Sequence, residues 1–179
     1  MKDVNAATTT LPARRTAGER APSFASVAER HLDDVYRYLL VFTRDPSLAE
    51  DLAGETFERA LRAWRRFDPR RSSPRTWLCT IARSTALDHF RAETRRRRRE
   101  QLAAEEPREV DPPELGLSPE LERALRMLSA ADREVIALRI VLDLDAETTA
   151  RLLHISPTAC TTRLNRALQR LEERITDDD

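Results

Sequence analysis

The side chains with the most chemical promise stand close together near the C-terminal end. In AETTARLLHISPTACTTRLN (residues 146–165), Ser156-Pro157 is a helix-start signal, with serine as cap and proline in the first turn. Thr158, Thr161, Thr162, Arg163 and Arg166 follow, on positions left outward once Cys160 and Leu164 face a core. Short hydroxyls and guanidiniums at the front of a helix suit phosphates and base edges in the major groove of DNA. The free amides at the helix N-terminus suit a phosphate as well. Ala150 falls where a preceding helix approaches closely, His154 falls at the turn, and Ile155 plugs the core after it, a helix-turn-helix pattern. Such turns commonly take glycine because φ is positive there. Histidine is among the side chains enriched at positive φ, so the spacing predicts that conformation at His154. On this segment alone, an ordinary helical hairpin is the alternative.

A second concentration is electrostatic. The 31 basic and 31 acidic residues cancel, yet Arg59–Arg99 holds 14 arginines against Asp68, Asp88 and Glu93. Such a block is the footprint of a polyanion binder, or else a solvated helix face in an arginine-rich chain. Glu100–Glu122 then carries eight acids and only Arg108. A third group is mixed: Asp51, Glu55 and Glu58 fall at helical spacings beside Leu52 and Phe57. An acidic ridge with apolar neighbours suits a partner's helices. The alternative is a solvated face over a core stripe that includes Leu52 and Phe57.

Catalysis finds no foothold. His31, His89 and His154 are scattered, and neither they nor Cys79 and Cys160 have metal-ligand spacing, so no metal and no cofactor is expected. Three glycines leave almost none for phosphate-cradling loops or tight strand turns. No apolar run approaches ~18 residues, and the N-terminus lacks a basic-then-apolar leader pattern, which predicts a cytoplasmic protein without membrane insertion.

These groups need helices to position them. Residues 1–22 have little periodicity and read as a disordered tail. Phe24, Val27, Leu32, Val35, Leu39 and Phe42 repeat at helical spacing. Asp45-Pro46 caps a second helix along Leu48, Leu52, Phe57, Leu61 and Trp64, and Ser73-Pro74 starts a third through Trp77, Ile81 and Phe90. Residues 97–117, with three prolines and many acids, read as a flexible linker. Ser118-Pro119 restarts helix, and four short helices complete a smaller unit over 118–176. The expectation is all-α: two small helical domains, 23–96 and 118–176, joined by an acidic linker.

In this layout the chain resembles the RNA polymerase sigma factors of the sigma-70 family, in their extracytoplasmic-function (ECF) group. AEDLAGETFERALRAWRRFDP (residues 49–69) is similar to the family's polymerase-docking helix, and WLCTIARSTALDHFR (77–91) to its promoter-melting, minus-ten-reading helix. LSAADREVIALR (128–139) with the helix-turn-helix is similar to its minus-thirty-five domain. The resemblance implies that Asp51, Leu52, Glu55, Phe57 and Glu58 bind polymerase. It implies that Trp77, Arg83, Ser84, Asp88, Arg91 and Arg95 contact the minus-ten element. For the minus-thirty-five element it implies Ser156, Thr158, Thr161, Thr162, Arg163 and Arg166. Implied partners are core RNA polymerase, through clamp helices and flap, promoter DNA, and an anti-sigma factor, with a nucleoid-associated location. Gly54 stands where the family commonly has glutamine, and Ser84 replaces an asparagine often seen there. The tether passes a distance check: the eighteen residues Glu100–Leu117 reach at most ~60 Å, and two promoter elements lie ~70 Å apart, a gap closed by domain radii of ~11 Å each. A helix-turn-helix regulator that works without stable polymerase docking is the alternative function.

Overall fold

In the computed structural model, residues 23–101 and 117–176 are described. The expected tail, 1–22, and most of the expected linker lie outside them. The elements are α1 (Phe24–Thr43), α2 (Pro46–Ala63) with a 3-10 turn (Trp64–Arg66), α3 (Pro74–Gln101), α4 (Pro119–Met127), α5 (Ala130–Ile136), a π-helical turn (Ala137–Val141), α6 (Ala146–Leu153) and α7 (Pro157–Thr176).

Local chemistry sets most of the boundaries. Ser23, Asp45, Ser118, Ser129 and Asp145 each accept a hydrogen bond from the amide three residues on, satisfying one orphan donor of the helix that follows. α1 ends at Arg44, whose amide still bonds the Leu40 carbonyl and whose left-handed φ of 61° then turns the chain out of the helix. α3 runs further than the sequence pattern predicts: residues 97–101, expected in the linker, are its last helical turn. Arginine is a good helix former, and Glu93 accepts from Arg96 at 3.0 Å and Arg97 at 2.9 Å. Those bonds, the one from Arg97 foremost, hold the Glu93 carboxyl below its ordinary range.

Helices α1, α2 and α3 pack around Val35, Tyr38, Leu39, Leu52 and Leu78, with Ala49, Ala60, Ala82 and Ala86 at the close approaches. Leu39 has no exposed surface. Leu39→Ala should therefore cost about 2–5 kcal/mol of unfolding free energy, read from urea midpoints at unchanged m. In the C-terminal half, α5 and α6 rest on α7 around Val135, Leu138, Leu142, Cys160 and Ala167. The π turn had no sequence signal; the Leu142 amide reaches back five residues to Ala137 at 3.0 Å.

The described helices form two units, as expected, but the units are pressed together. α1 packs on α5 and on the π turn, and buried residues of both halves belong to one apolar cluster. Arg133, buried, donates to the Phe42 carbonyl at the end of α1 (3.4 Å), and burial beside Arg44 lowers its guanidinium to about 10. Glu134, also buried, accepts from Arg83 of α3 at 2.7 Å and from Tyr38 of α1 at 3.4 Å.

Candidate nucleic-acid interface and docking groove

The helix-turn-helix has the backbone its spacing required. α6 ends at His154 with φ 55° and ψ 43°, Ala150 is buried against α7, and Ile155 packs on the core. Ser156 caps α7, its Oγ accepting from the Ala159 amide at 3.1 Å. Ser156, Thr158, Thr162, Arg163 and Arg166 line one shallow cavity of about 490 Å³. Thr161 is exposed but outside it, donating instead to the Pro157 carbonyl at 3.1 Å. Three residues missed in the sequence complete the wall: Ala159, and the pair Arg170, one turn beyond Arg166, and Asp132 of α5, which are 2.7 Å apart. Arg170 continues the Arg163–Arg166 spacing and was legible; Asp132 arrives only through packing. Cationic side chains around a helix N-terminus form an anion-binding surface.

On α3, Arg83, Ser84 and Arg91 share a face with Thr80 and Leu87. That face is one wall of a cleft of about 280 Å³ whose other wall is Arg151, Leu152 and His154. Asp88 bonds Arg91 at 3.3 Å and Arg59 of α2 at 3.1 Å, so its carboxylate braces two cations. Arg59 also binds Glu55 at 2.6 Å, and these hydrogen bonds, Asp88's first, raise its already high pKa. Trp77 is partly buried, its ring centroid 5.7 Å from Trp64 and 5.1 Å from Phe67. Packing against neighbouring rings is thus what engages the indole. Arg95 is exposed one turn past Arg91.

The five expected docking residues do not form one surface. Leu52 is 2% exposed, and it is core rather than ridge. Asp51, Glu55 and Glu58 are all exposed, Glu55 paired with Arg59 and Glu58 with Arg62. Phe57 alone of the five lines a groove of about 630 Å³ between α1 and α2. The groove's apolar surface comes from Leu32, Tyr36, Ala53 and Phe57, its rim from Glu29, Asp33 and Glu50. Leu32 is half exposed there, although its place in the α1 stripe reads as core. The i, i+3, i+4, i+7 set Glu29–Leu32–Asp33–Tyr36 was a visible signal for a mixed face. A Cβ built on Gly54 meets nothing within 4 Å. Gly54→Ala should raise unfolding free energy by ~0.5–1 kcal/mol, as chemical denaturation can show, because only unfolded-chain entropy changes.

Both halves of the chain are similar to known proteins. Residues 27–96 match the family description "Sigma-70 region 2" and residues 118–171 match "Sigma-70, region 4". The ECF RNA polymerase sigma factor BldN of Streptomyces coelicolor is 32% identical across 94% of this chain, which spans 66% of that protein's length. The ECF RNA polymerase sigma factor SigX of Bacillus subtilis is 29% identical over 88% of this chain and 89% of its own. Among solved structures, sigma factor RpoE bound to the anti-sigma factor NepR, from Bartonella quintana, superposes with a TM-score of 0.73 at 25% identity. That match covers 87% of this chain and 98% of the other.

Proposed function

Because the chain belongs to the sigma-70 family, in its ECF group, we infer that it acts as a dissociable specificity subunit of bacterial RNA polymerase. It directs the core enzyme to particular promoters and is a binding protein rather than an enzyme. One observation carries this reading: an apolar groove with an acidic rim and a capped, arginine-lined recognition helix stand on the two sigma regions of a single chain.

The division of labour follows from the chemistry. The groove between α1 and α2 offers area to a partner's apolar side chains, and Glu29, Asp33 and Glu50 select a basic surround. Core polymerase, through its clamp helices, is the partner we assign there. The α7 front takes the minus-thirty-five element, Arg163 and Arg166 supplying phosphate or base contacts. Arg83, Ser84, Arg91 and Arg95 take the minus-ten element. Captured bases are worth ~1–3 kcal/mol each by stacking, so binding energy drives local opening without nucleotide hydrolysis. With its indole engaged by Trp64 and Phe67, Trp77 borders this face near the start of α3. The flap contact of the C-terminal region, inhibition by an anti-sigma factor, and a nucleoid location in the cytoplasm complete the proposal.

The test is reconstitution: purified chain, core polymerase and a genomic template library, with transcripts mapped by sequencing. Initiation at a defined promoter set, absent with core alone, is expected. Duplex binding without polymerase capture would instead assign the chain to the regulators.

A further inference from the structure

Gly54 is a residue that the chain's own fold does not ask for. α2 runs unbroken through it in ordinary helical backbone, so no left-handed φ requires glycine there. A Cβ would meet nothing within 4 Å, so no neighbouring element needs the space either. Glycine is also the poorest helix former after proline. What the missing side chain provides therefore lies outside the chain.

Gly54 stands exposed on the α2 wall of the groove, one turn from Glu50 and one from Phe57, while α1 supplies the facing wall with Leu32 and Asp33. Neither Leu32 nor Phe57 reaches over the position of the absent Cβ, which leaves a notch in an otherwise apolar floor. The acids at the rim are uncommitted. Among the described residues Glu29 and Glu50 have no ion-pair partner, and Asp33 has only the exposed Arg37, 4.0 Å away. Glu55 and Glu58, beside the groove, are by contrast already held by Arg59 and Arg62. An apolar floor below unpaired carboxylates fits one kind of side chain: a long aliphatic stem with a cationic tip, as in lysine and arginine. A wholly apolar side chain would leave the acids unmatched, and an acidic one would be repelled.

Resting on the docking reading above, we propose that Gly54 is the socket for one basic side chain of core polymerase's clamp helices. The stem of that side chain lies in the notch, and its tip pairs with the rim carboxylates of Glu29, Asp33 and Glu50. Any side chain at position 54 takes the place of the stem, so glycine there determines which partner surface the groove accepts.

Purified bacterial core polymerase and the full chain test this in a competition binding assay. Gly54→Ala and Gly54→Leu both improve helix propensity, so urea midpoints should rise for each. Affinity for core polymerase should fall in the same order, by about two- to threefold for alanine and at least about tenfold for leucine, as overfilling a packed contact requires. A glycine that served only the fold would move stability and affinity together. Asp33→Asn with Glu50→Gln, at two exposed positions, should weaken binding and flatten its salt dependence. Changing each lysine and arginine of the clamp helices to alanine in turn should find one whose loss weakens the parent complex at least about tenfold but the Gly54→Leu complex less than about twofold, the non-additivity of groups in contact. Parent-like affinity of Gly54→Leu, with Leu32→Glu still losing polymerase, overturns the socket and leaves the docking reading standing. Weak binding by Gly54→Leu with no coupled basic residue on the clamp overturns the cationic occupant. If sedimentation shows a parent dimer that Gly54→Leu dissociates, the occupant is a second copy and the proposal falls. Parent-like affinity of both Gly54→Leu and Leu32→Glu means that the docking reading itself fails.

Discussion

A chain carrying Leu32→Glu should lose core polymerase while keeping its fold. Leu32 is 51% exposed and sits on the apolar wall of the α1–α2 groove, beside Tyr36 and Phe57. A carboxylate there must either be buried against the partner's apolar surface or hold the surfaces apart. Central apolar anchors of an interface cost at least ~2 kcal/mol when removed, so dissociation constants should rise at least about thirtyfold. Since Leu32 contributes little buried area to the free chain, its melting curve should match the parent's within ~0.5 kcal/mol. Competition binding against core polymerase, with the Leu39→Ala chain as a control for general destabilisation, reads both halves of this expectation. Parent-like affinity would move the docking surface away from this groove.

The second large effect lies at the other end of the molecule. Arg163→Ala with Arg166→Ala removes two guanidiniums from the cavity in front of α7, where Ser156 remains to cap the helix start. Each phosphate left without its cation lowers the slope of log affinity against log salt by about 1, so the pair should flatten it by up to about 2. If either arginine reads a base edge, discrimination falls by a further ~1–3 kcal/mol at that position. Titrating holoenzyme against a mapped promoter at several salt concentrations measures both. Equal slopes for parent and variant would show that neither arginine touches the promoter backbone. Single substitutions should divide the effect roughly evenly unless one arginine makes a bidentate base contact.

The two sites differ in how far they could be read from residues alone. The cavity in front of α7 was largely legible in the sequence: Ser156, Thr158, Thr162, Arg163 and Arg166 share one wall, and His154 has the backbone its position demanded. Apart from Asp132, which packing brings in, it depends on neighbours within about a turn of helix, where cap, period and φ are local matters. The groove proposed for docking was read less well. Leu52 and Leu32 both belong to apolar stripes, yet Leu52 is buried and Leu32 half exposed. Periodicity identifies the apolar side of a helix but not how much of it a neighbour covers, because an apolar stripe is wider than one contact. The same limit applies to Trp77, whose partners Trp64 and Phe67 come from the turn after α2.

Charge was the hardest to read. Asp88 and Arg91 both qualify as DNA contacts by position, but Asp88 braces Arg91 and Arg59. In the sequence, Glu134 is one acid in an amphipathic helix. Its partners Arg83 and Tyr38 are 51 and 96 residues away. Caps, helix faces, the turn at His154 and the helical class were written in the chain's order of residues, since each reflects steric and hydrogen-bonding preferences over three or four positions. Which leucine is covered, which arginine is already spoken for, and that the two halves close on one buried carboxylate emerged from folding. Those outcomes belong to pairs of distant residues whose meeting no short-range preference encodes.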